Sequence, residues 1–186
     1  MSGAPRVVGV IGPSGVGKDS LIAALAASAP GFRALQRVVT RPADETEPFR
    51  SVTEAEFKAM AEAGAFALHW SAHRLRYGVP RAEIAALGPG ETGLVNLSRS
   101  VLAEASRVLP GFAVLQLTAP PEVLALRLSD RGRETGADIA ARLARPAPAL
   151  PEGLEIVVVD NGGTLDQAVR AASRALSRPS GRSSIR

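Results

Sequence analysis

The chain has 186 residues, 46% of them apolar and 4% aromatic, with a formal net charge of +4 and no cysteine. That length and apolar content suit one α/β domain with small excursions, and the missing thiols exclude a disulfide framework, a thiolate metal site and a cysteine nucleophile. Sparse aromatics, not interleaved with the basic residues, argue against a nucleic-acid stacking surface. No apolar run is long enough to span a bilayer, and the start lacks a basic segment followed by a signal-like apolar stretch. The expected setting is cytoplasmic, with neither a membrane nor a nucleic acid as partner.

The first element is an apolar run over residues 6–11, read as a strand. Gly12-Pro13-Ser14-Gly15-Val16-Gly17-Lys18 follows it directly, and a helical stretch covers 19–27. Strand, glycine loop, lysine and helix in that order make a phosphate-cradling P-loop. Glycines let backbone N–H groups converge on phosphate oxygens, the helix N-terminus adds its positive dipole end, and Lys18 can reach the outer phosphates. Residues 12–20 are therefore the candidate nucleotide site, with ATP as the expected ligand and Lys18 as a catalytic cation. The Ser or Thr that usually follows the lysine to ligate Mg²⁺ is here Asp19, with Ser20 next. Asp19 is either a hard-oxygen Mg²⁺ ligand, direct or through water, or the acid favoured in a first helical turn.

Further strands are expected over 35–39, 93–96, 113–118 and 154–159. Helices are expected over 53–63, 98–108, 122–130, 137–143 and 164–176. Thr53 followed by Glu56 reads as a capping box, Pro121 suits a first helical position, and Asn161-Gly162-Gly163 turns the last strand into the last helix. Alternating strands and helices point to a parallel sheet with crossover helices. Residues from about 36 to 90 break the alternation, with one helix and long polar connections, which suggests a small acceptor-binding insertion. An arginine-studded stretch over 127–145 suggests a lid, and the Ser/Arg/Gly/Pro tail over 177–186 is expected to be disordered. The whole chain is one domain, its core formed by 1–35 and 91–176. Asp160 ends an apolar strand but is read as a turn-initiating residue rather than a metal ligand.

The runs GPSGVGKDS, VVTRPAD, FALHWSAHRLRYGVP and RLSDRGRE resemble the guanylate-kinase-like branch of P-loop kinases. That resemblance implies a P-loop kinase fold: a parallel sheet flanked by helices, a small acceptor-binding insertion and an arginine-rich lid. Three motifs depart from guanylate kinase together. The second phosphate-binding arginine, three positions past Arg41, is Asp44. The guanine-reading glutamate before the YG pair is absent from Leu68-His69-Trp70. The acidic Asp-x-Asp of the middle strand is Asn96-Leu97-Ser98.

This combination, with its GKDSL, TRPAD, ALHWSAH, LVNLSR and RGRE runs, resembles the ribose 1,5-bisphosphate phosphokinase family over about residues 8–145. The resemblance implies ATP-dependent phosphorylation of ribose 1,5-bisphosphate at its 1-phosphate, in phosphonate catabolism. It makes Arg41 and Tyr77 candidates for the accepting 1-phosphate. His69, His73, Arg74 and Arg76 are candidates for the sugar or 5-phosphate, although the histidines could instead pack the insertion. Among the lid arginines Arg127, Arg131, Arg133 and Arg142, it favours Arg131 and Arg142 as catalytic. The accepting phosphate is already ionised, so positioning and charge neutralisation replace a general base. Two other readings stand beside this one: a guanylate kinase with a divergent acceptor site, and a non-catalytic guanylate-kinase-like binding module.

Overall fold

β1 (Arg6–Ile11) is followed by α1 (Lys18–Ser28), β2 (Phe32–Ala34), β3 (Arg37–Val39), β4 (Phe49–Ser51) and α2 (Glu54–Glu62). Then come β5 (Phe66–Ala72), β6 (Leu75–Pro80), α3 (Arg81–Ala85), β7 (Thr92–Asn96) and α4 (Leu102–Val108), the last entered through a 3₁₀ turn at Arg99–Val101. β8 (Ala113–Thr118), α5 (Pro121–Asp130), β9 (Ile156–Asp160) and α6 (Leu165–Leu176) complete the order. The computed structural model describes residues 3–42, 49–130 and 149–177. Asp44, Arg131, Arg133, Arg142, the helix expected over 137–143 and the tail beyond Ser177 lie outside the described residues. Among the described residues, no helix is long and apolar enough to cross a membrane.

The main sheet is parallel, in the order β2-β7-β1-β8-β9. β1 lies at its centre and is apolar on both faces, as a strand covered on both sides must be. Val8 and Val10 join a cluster with Val16, Leu21, Leu25, Leu115 and Leu117. Val7 and Ile11 join a second cluster with Leu68, Trp70, Val95, Leu102 and Val114. The first cluster holds the loop after β1 and its helix, and the second holds the smaller sheet described next.

Residues 36–90 depart most from expectation. They build a second sheet in the order β4-β3-β6-β5, with a β5–β6 hairpin where long polar connections were expected. Of the strand expected over 35–39 only Arg37–Val39 forms, as β3, while β2 at Phe32–Ala34 precedes the expected span. Leu35 N–H still donates to Leu94 O of the main sheet at 2.9 Å, while Val38 and Val39 pair with β6. The chain thus changes sheets within two residues. A register shift between Phe66 and Leu68 sends Phe66 to the α2 side, where it stacks on Phe57 at 4.7 Å. That crossing needs Gly78: a Cβ there would sit 2.4 Å from the Phe66 ring.

The capping box read from sequence at Thr53 is present, and the structure adds a second at Thr164. Thr53 Oγ1 accepts from Glu56 N–H at 3.2 Å, and Glu56 Oε2 accepts from Thr53 N–H at 2.7 Å. Thr164 and Gln167 make the same exchange at the start of α6. The Thr53 backbone N–H, helped by its hydroxyl, holds the Glu56 carboxyl below its ordinary pKa. A lowered folded value contributes stability above the unfolded pKa, and that contribution is lost as pH falls through the folded one. Wild type should therefore out-melt Glu56→Gln at neutral pH, and the gap should close as the pH drops below the ordinary carboxylate range. A gap independent of pH in thermal melts would show that the charge contributes nothing.

A candidate phosphoryl-transfer site

The loop after β1 is built for an anion. Gly12, Gly15 and Gly17 have φ of 154°, 81° and 89°. Gly17 is the N-cap of α1 in left-handed backbone, and a Cβ there would lie 2.9 Å from Asn161 Nδ2. No side chain caps this helix start, so the first-turn N–H groups point forward with the dipole's positive end. Lys18 Nζ donates to Gly12 O at 2.9 Å and Pro13 O at 3.0 Å, which holds the ammonium over the loop. Ser14 and Ser20 are exposed at its rim.

Two residues brace the loop from behind. Asn161, 3% exposed, donates from Nδ2 to Val16 O at 2.7 Å. Arg127 Nη1, in the last turn of α5, approaches the same carbonyl at 3.4 Å. The sequence placed Asn161 in a turn, and it is in one, but its amide also ties the β9–α6 connection to the loop apex. No spacing in the sequence signals that contact across 145 positions. Asp160 behaves as read: its Oδ1 accepts from Gly162 N–H at 3.0 Å, an Asx turn.

Asp19 has neighbours that the sequence did not suggest. Its Oδ1 accepts from Asn96 Nδ2 at 2.9 Å, and Arg37 Nη2 lies 3.7 Å from the same oxygen. A polar line therefore joins the α1 start, the C-terminal end of β7 and strand β3 of the smaller sheet. Ligands of open α/β folds bind at such strand ends. Asp19 is half-exposed beside the exposed Ser20 hydroxyl, at the helix start where phosphates would dock. One carboxylate, one hydroxyl and phosphate oxygens fit Mg²⁺, which keeps much of its water and needs few protein ligands.

The smaller sheet sorts the acceptor candidates onto different faces. Tyr77 stacks on Trp70 at 5.3 Å and 11°, and Arg37 lies 5.9 Å from the Tyr77 ring centroid. His69 alternates away from Trp70 and packs near Phe57 (6.3 Å) and Phe66 (6.0 Å). His69 and Tyr77 are therefore not brought together. Arg76 pairs with Glu54 of α2 at 2.8 Å, also away from Tyr77, and both partners are largely exposed. Arg41 lies over the Phe49 ring at 4.8 Å, and its carbonyl accepts from Ser51 Oγ at 2.7 Å.

His73 and Arg74 form the hairpin tip with φ of 53° and 62°. Two consecutive left-handed residues make the turn type that favours Asn-Gly. Arg74→Gly should therefore stabilise by about 0.5–1 kcal/mol after the unfolded-state entropy is counted. For a chain of this size that is a rise in Tm of roughly 1–4 °C. An unchanged melt would mean that the turn carries no strain.

No protein-family model matches the chain. A ribose 1,5-bisphosphate phosphokinase PhnN from Ruegeria sp. (strain TM1040) is 54% identical over 166 residues, covering 88% of this chain and 87% of that protein. The chain belongs to the ribose 1,5-bisphosphate phosphokinase family. The PhnN kinase of Burkholderia mallei (strain SAVP1) is 44% identical over 170 residues, covering 90% and 92% of the two chains. A guanylate kinase from Anaplasma phagocytophilum superposes with a TM-score of 0.66 at 18% identity, covering 95% of this chain and 86% of that one. A gluconokinase from Sinorhizobium meliloti 1021 gives 0.53 at 24% identity, covering 95% and 93%. These likenesses establish the P-loop kinase fold, and the expected parallel sheet flanked by helices stands. The family's members are kinases, so the chain is a phosphotransferase.

Proposed function

We propose that the chain transfers the γ-phosphoryl group of ATP to the 1-phosphate of ribose 1,5-bisphosphate, giving 5-phospho-α-D-ribose 1-diphosphate and ADP. The observation that carries this reading is 54% identity, across nearly nine-tenths of both chains, to a kinase named for that acceptor. The acceptor sheet is chemically consistent with it. A guanine edge needs a buried acceptor, and the strand in register offers Leu68, His69 and Trp70 instead. Leaving the guanine N–H groups unpaired would cost about 1–3 kcal/mol. A ribose bisphosphate has no base to read.

In this reading the loop N–H groups and Lys18 hold the ATP phosphates in line with the acceptor. Mg²⁺, when bound, would neutralise phosphate charge, and Asp19 with Ser20 would place it. Arg41 and Tyr77 would hold the accepting 1-phosphate, with His73 and Arg74 at the hairpin tip toward the rest of the sugar phosphate. His69 is better assigned to packing against Phe57 and Phe66. Arg131 and Arg142 would neutralise charge on the transferring group. The accepting phosphate oxygen is ionised near neutral pH, so no side chain has to remove a proton, and catalysis is positioning plus electrostatics. Such chemistry suits a cytoplasmic enzyme with small-molecule partners.

The test is an acceptor comparison with Mg²⁺–ATP, following ADP release and the diphosphate product. Ribose 1,5-bisphosphate should exceed GMP in kcat/KM by about 5- to 150-fold, what one unpaired polar edge supplies. Equal or better kcat/KM with GMP would make this a guanylate kinase with an unusual pocket. Transfer to neither acceptor, with phosphopeptide binding instead, would make it a non-catalytic module.

A further inference from the structure

Phosphoryl transfer in this fold must cross from the loop at the end of β1 to the smaller sheet, where two anionic groups meet. Arg37 stands at that crossing. It lies on β3, its side chain is 13% exposed, and its guanidinium is 3.7 Å from Asp19 Oδ1 and 5.9 Å from the Tyr77 ring centroid. Its neighbour Val38 turns to the opposite face with Phe57 and Phe66. The other arginines on this sheet's strands and hairpin are more exposed: Arg50 lies on the edge strand β4, Arg74 is at the hairpin tip and Arg76 pairs with Glu54. Trp70 and Arg37 both rest against Tyr77, so the arginine is set on a stacked aromatic base rather than on a loose stem.

We propose that Arg37 is an acceptor-phosphate-binding residue that exchanges partners: it neutralises Asp19 before the metal arrives and turns to the accepting phosphate once Mg²⁺ takes the Asp19 carboxylate. This deepens the reading above and rests on it. Asp19 carries one negative charge beside an incoming polyphosphate, and Arg37 offsets it in the meantime. Asn96 holds the same oxygen throughout, so the carboxylate keeps its orientation while its cation changes. A guanidinium suits a phosphate, which it can grip with two parallel N–H bonds.

Because Mg²⁺ and Arg37 compete for one carboxylate, removing the arginine must move two binding steps in opposite directions. In Arg37→Met, the acceptor KM should rise at least about 10-fold, as expected for loss of a charge-assisted pair. Mg²⁺ binding to the ADP complex, measured by calorimetry without acceptor, should tighten roughly 3-fold or more through loss of that competition. Arg37→Lys keeps the charge and lacks the fork, so it should restore the Mg²⁺ value while recovering the acceptor KM only in part. If the methionine variant does not fold, the equally neutral Arg37→Gln takes its place under the same two readouts. An unchanged acceptor KM, or metal binding that weakens alongside it, would overturn the role of Arg37. Wild-type protein that fails to phosphorylate ribose 1,5-bisphosphate would instead overturn the acceptor assignment, which separates the two failures.

Discussion

Lys18→Ala should cut single-turnover phosphoryl transfer by about 10²–10³-fold, the scale of losing one preorganised charge at a developing anion. The ammonium is already held over the loop by Gly12 O and Pro13 O, so its orientation costs little at the moment of reaction. Stability should hardly respond. The residue is partly exposed at the start of α1, and the loop is fixed from behind by Asn161 and packed through Val16 into the core. A change in Tm of about 2 °C or less is expected. Lys18→Arg should not rescue transfer, since a planar fork does not replace a compact ammonium pointed at a phosphate. Near-wild-type turnover in the alanine variant would remove the P-loop from the chemistry.

The loop was legible because its glycines answer a local demand. Left-handed backbone and close approach must be written into the residues themselves, and Gly12, Gly15, Gly17 and Lys18 write them in consecutive order. Strands β1, β7 and β8 were legible for a similar reason, since burial on both faces leaves apolar runs such as Val7 to Ile11, whereas the short, partly exposed β2 at Phe32–Ala34 was not. The smaller sheet was not. Its strands carry a solvent face and a packed face, β3 and β4 are three residues each, and the β5 register is broken at Ala67. Short, interrupted alternation of that kind does not stand out from loop. The turn at His73 and Arg74 lacks the Asn or Gly that would have announced a hairpin.

Site residues divide along the same line. Arg41 and Tyr77 could be proposed from motifs, and so could Asp19 and Ser20, because each lies inside a contiguous run. Arg37 was hidden inside a stretch read as one strand, and a lone arginine between Leu35 and Val38 was the signal available. Its meaning depends on Asp19, eighteen positions earlier, and on Tyr77, forty positions later. Asn96 shows the same dependence from the opposite direction. Read alone it is a lost acid at a strand end, whereas its amide holds the acid that appears at Asp19. In the fold, the amide at the strand end and the carboxylate at the helix start are direct partners.

Trp70→Ala should be the most damaging single change to the acceptor side. Trp70 is 9% exposed and packs with Leu68, Val95, Leu102 and Val114 in the cluster that fastens the smaller sheet to the main one. Truncating a buried indole leaves a cavity and costs about 3–5 kcal/mol. For a chain of this size that lowers Tm by roughly 6–20 °C. The loss should reach the site through Tyr77, which stacks on the indole, and through Arg37 beyond it. Acceptor KM should therefore rise in the folded fraction. ATP binding should be spared at temperatures where the protein remains folded, because the loop and α1 pack into the other cluster, across β1. Trp70→Phe keeps an aromatic against Tyr77 and should recover most of both properties. Measuring Tm, nucleotide affinity by calorimetry and acceptor KM on the same preparations separates these effects. Nucleotide affinity falling in step with acceptor KM would mean that the two faces of the main sheet do not act independently, and that the acceptor sheet is not the separable unit its packing describes.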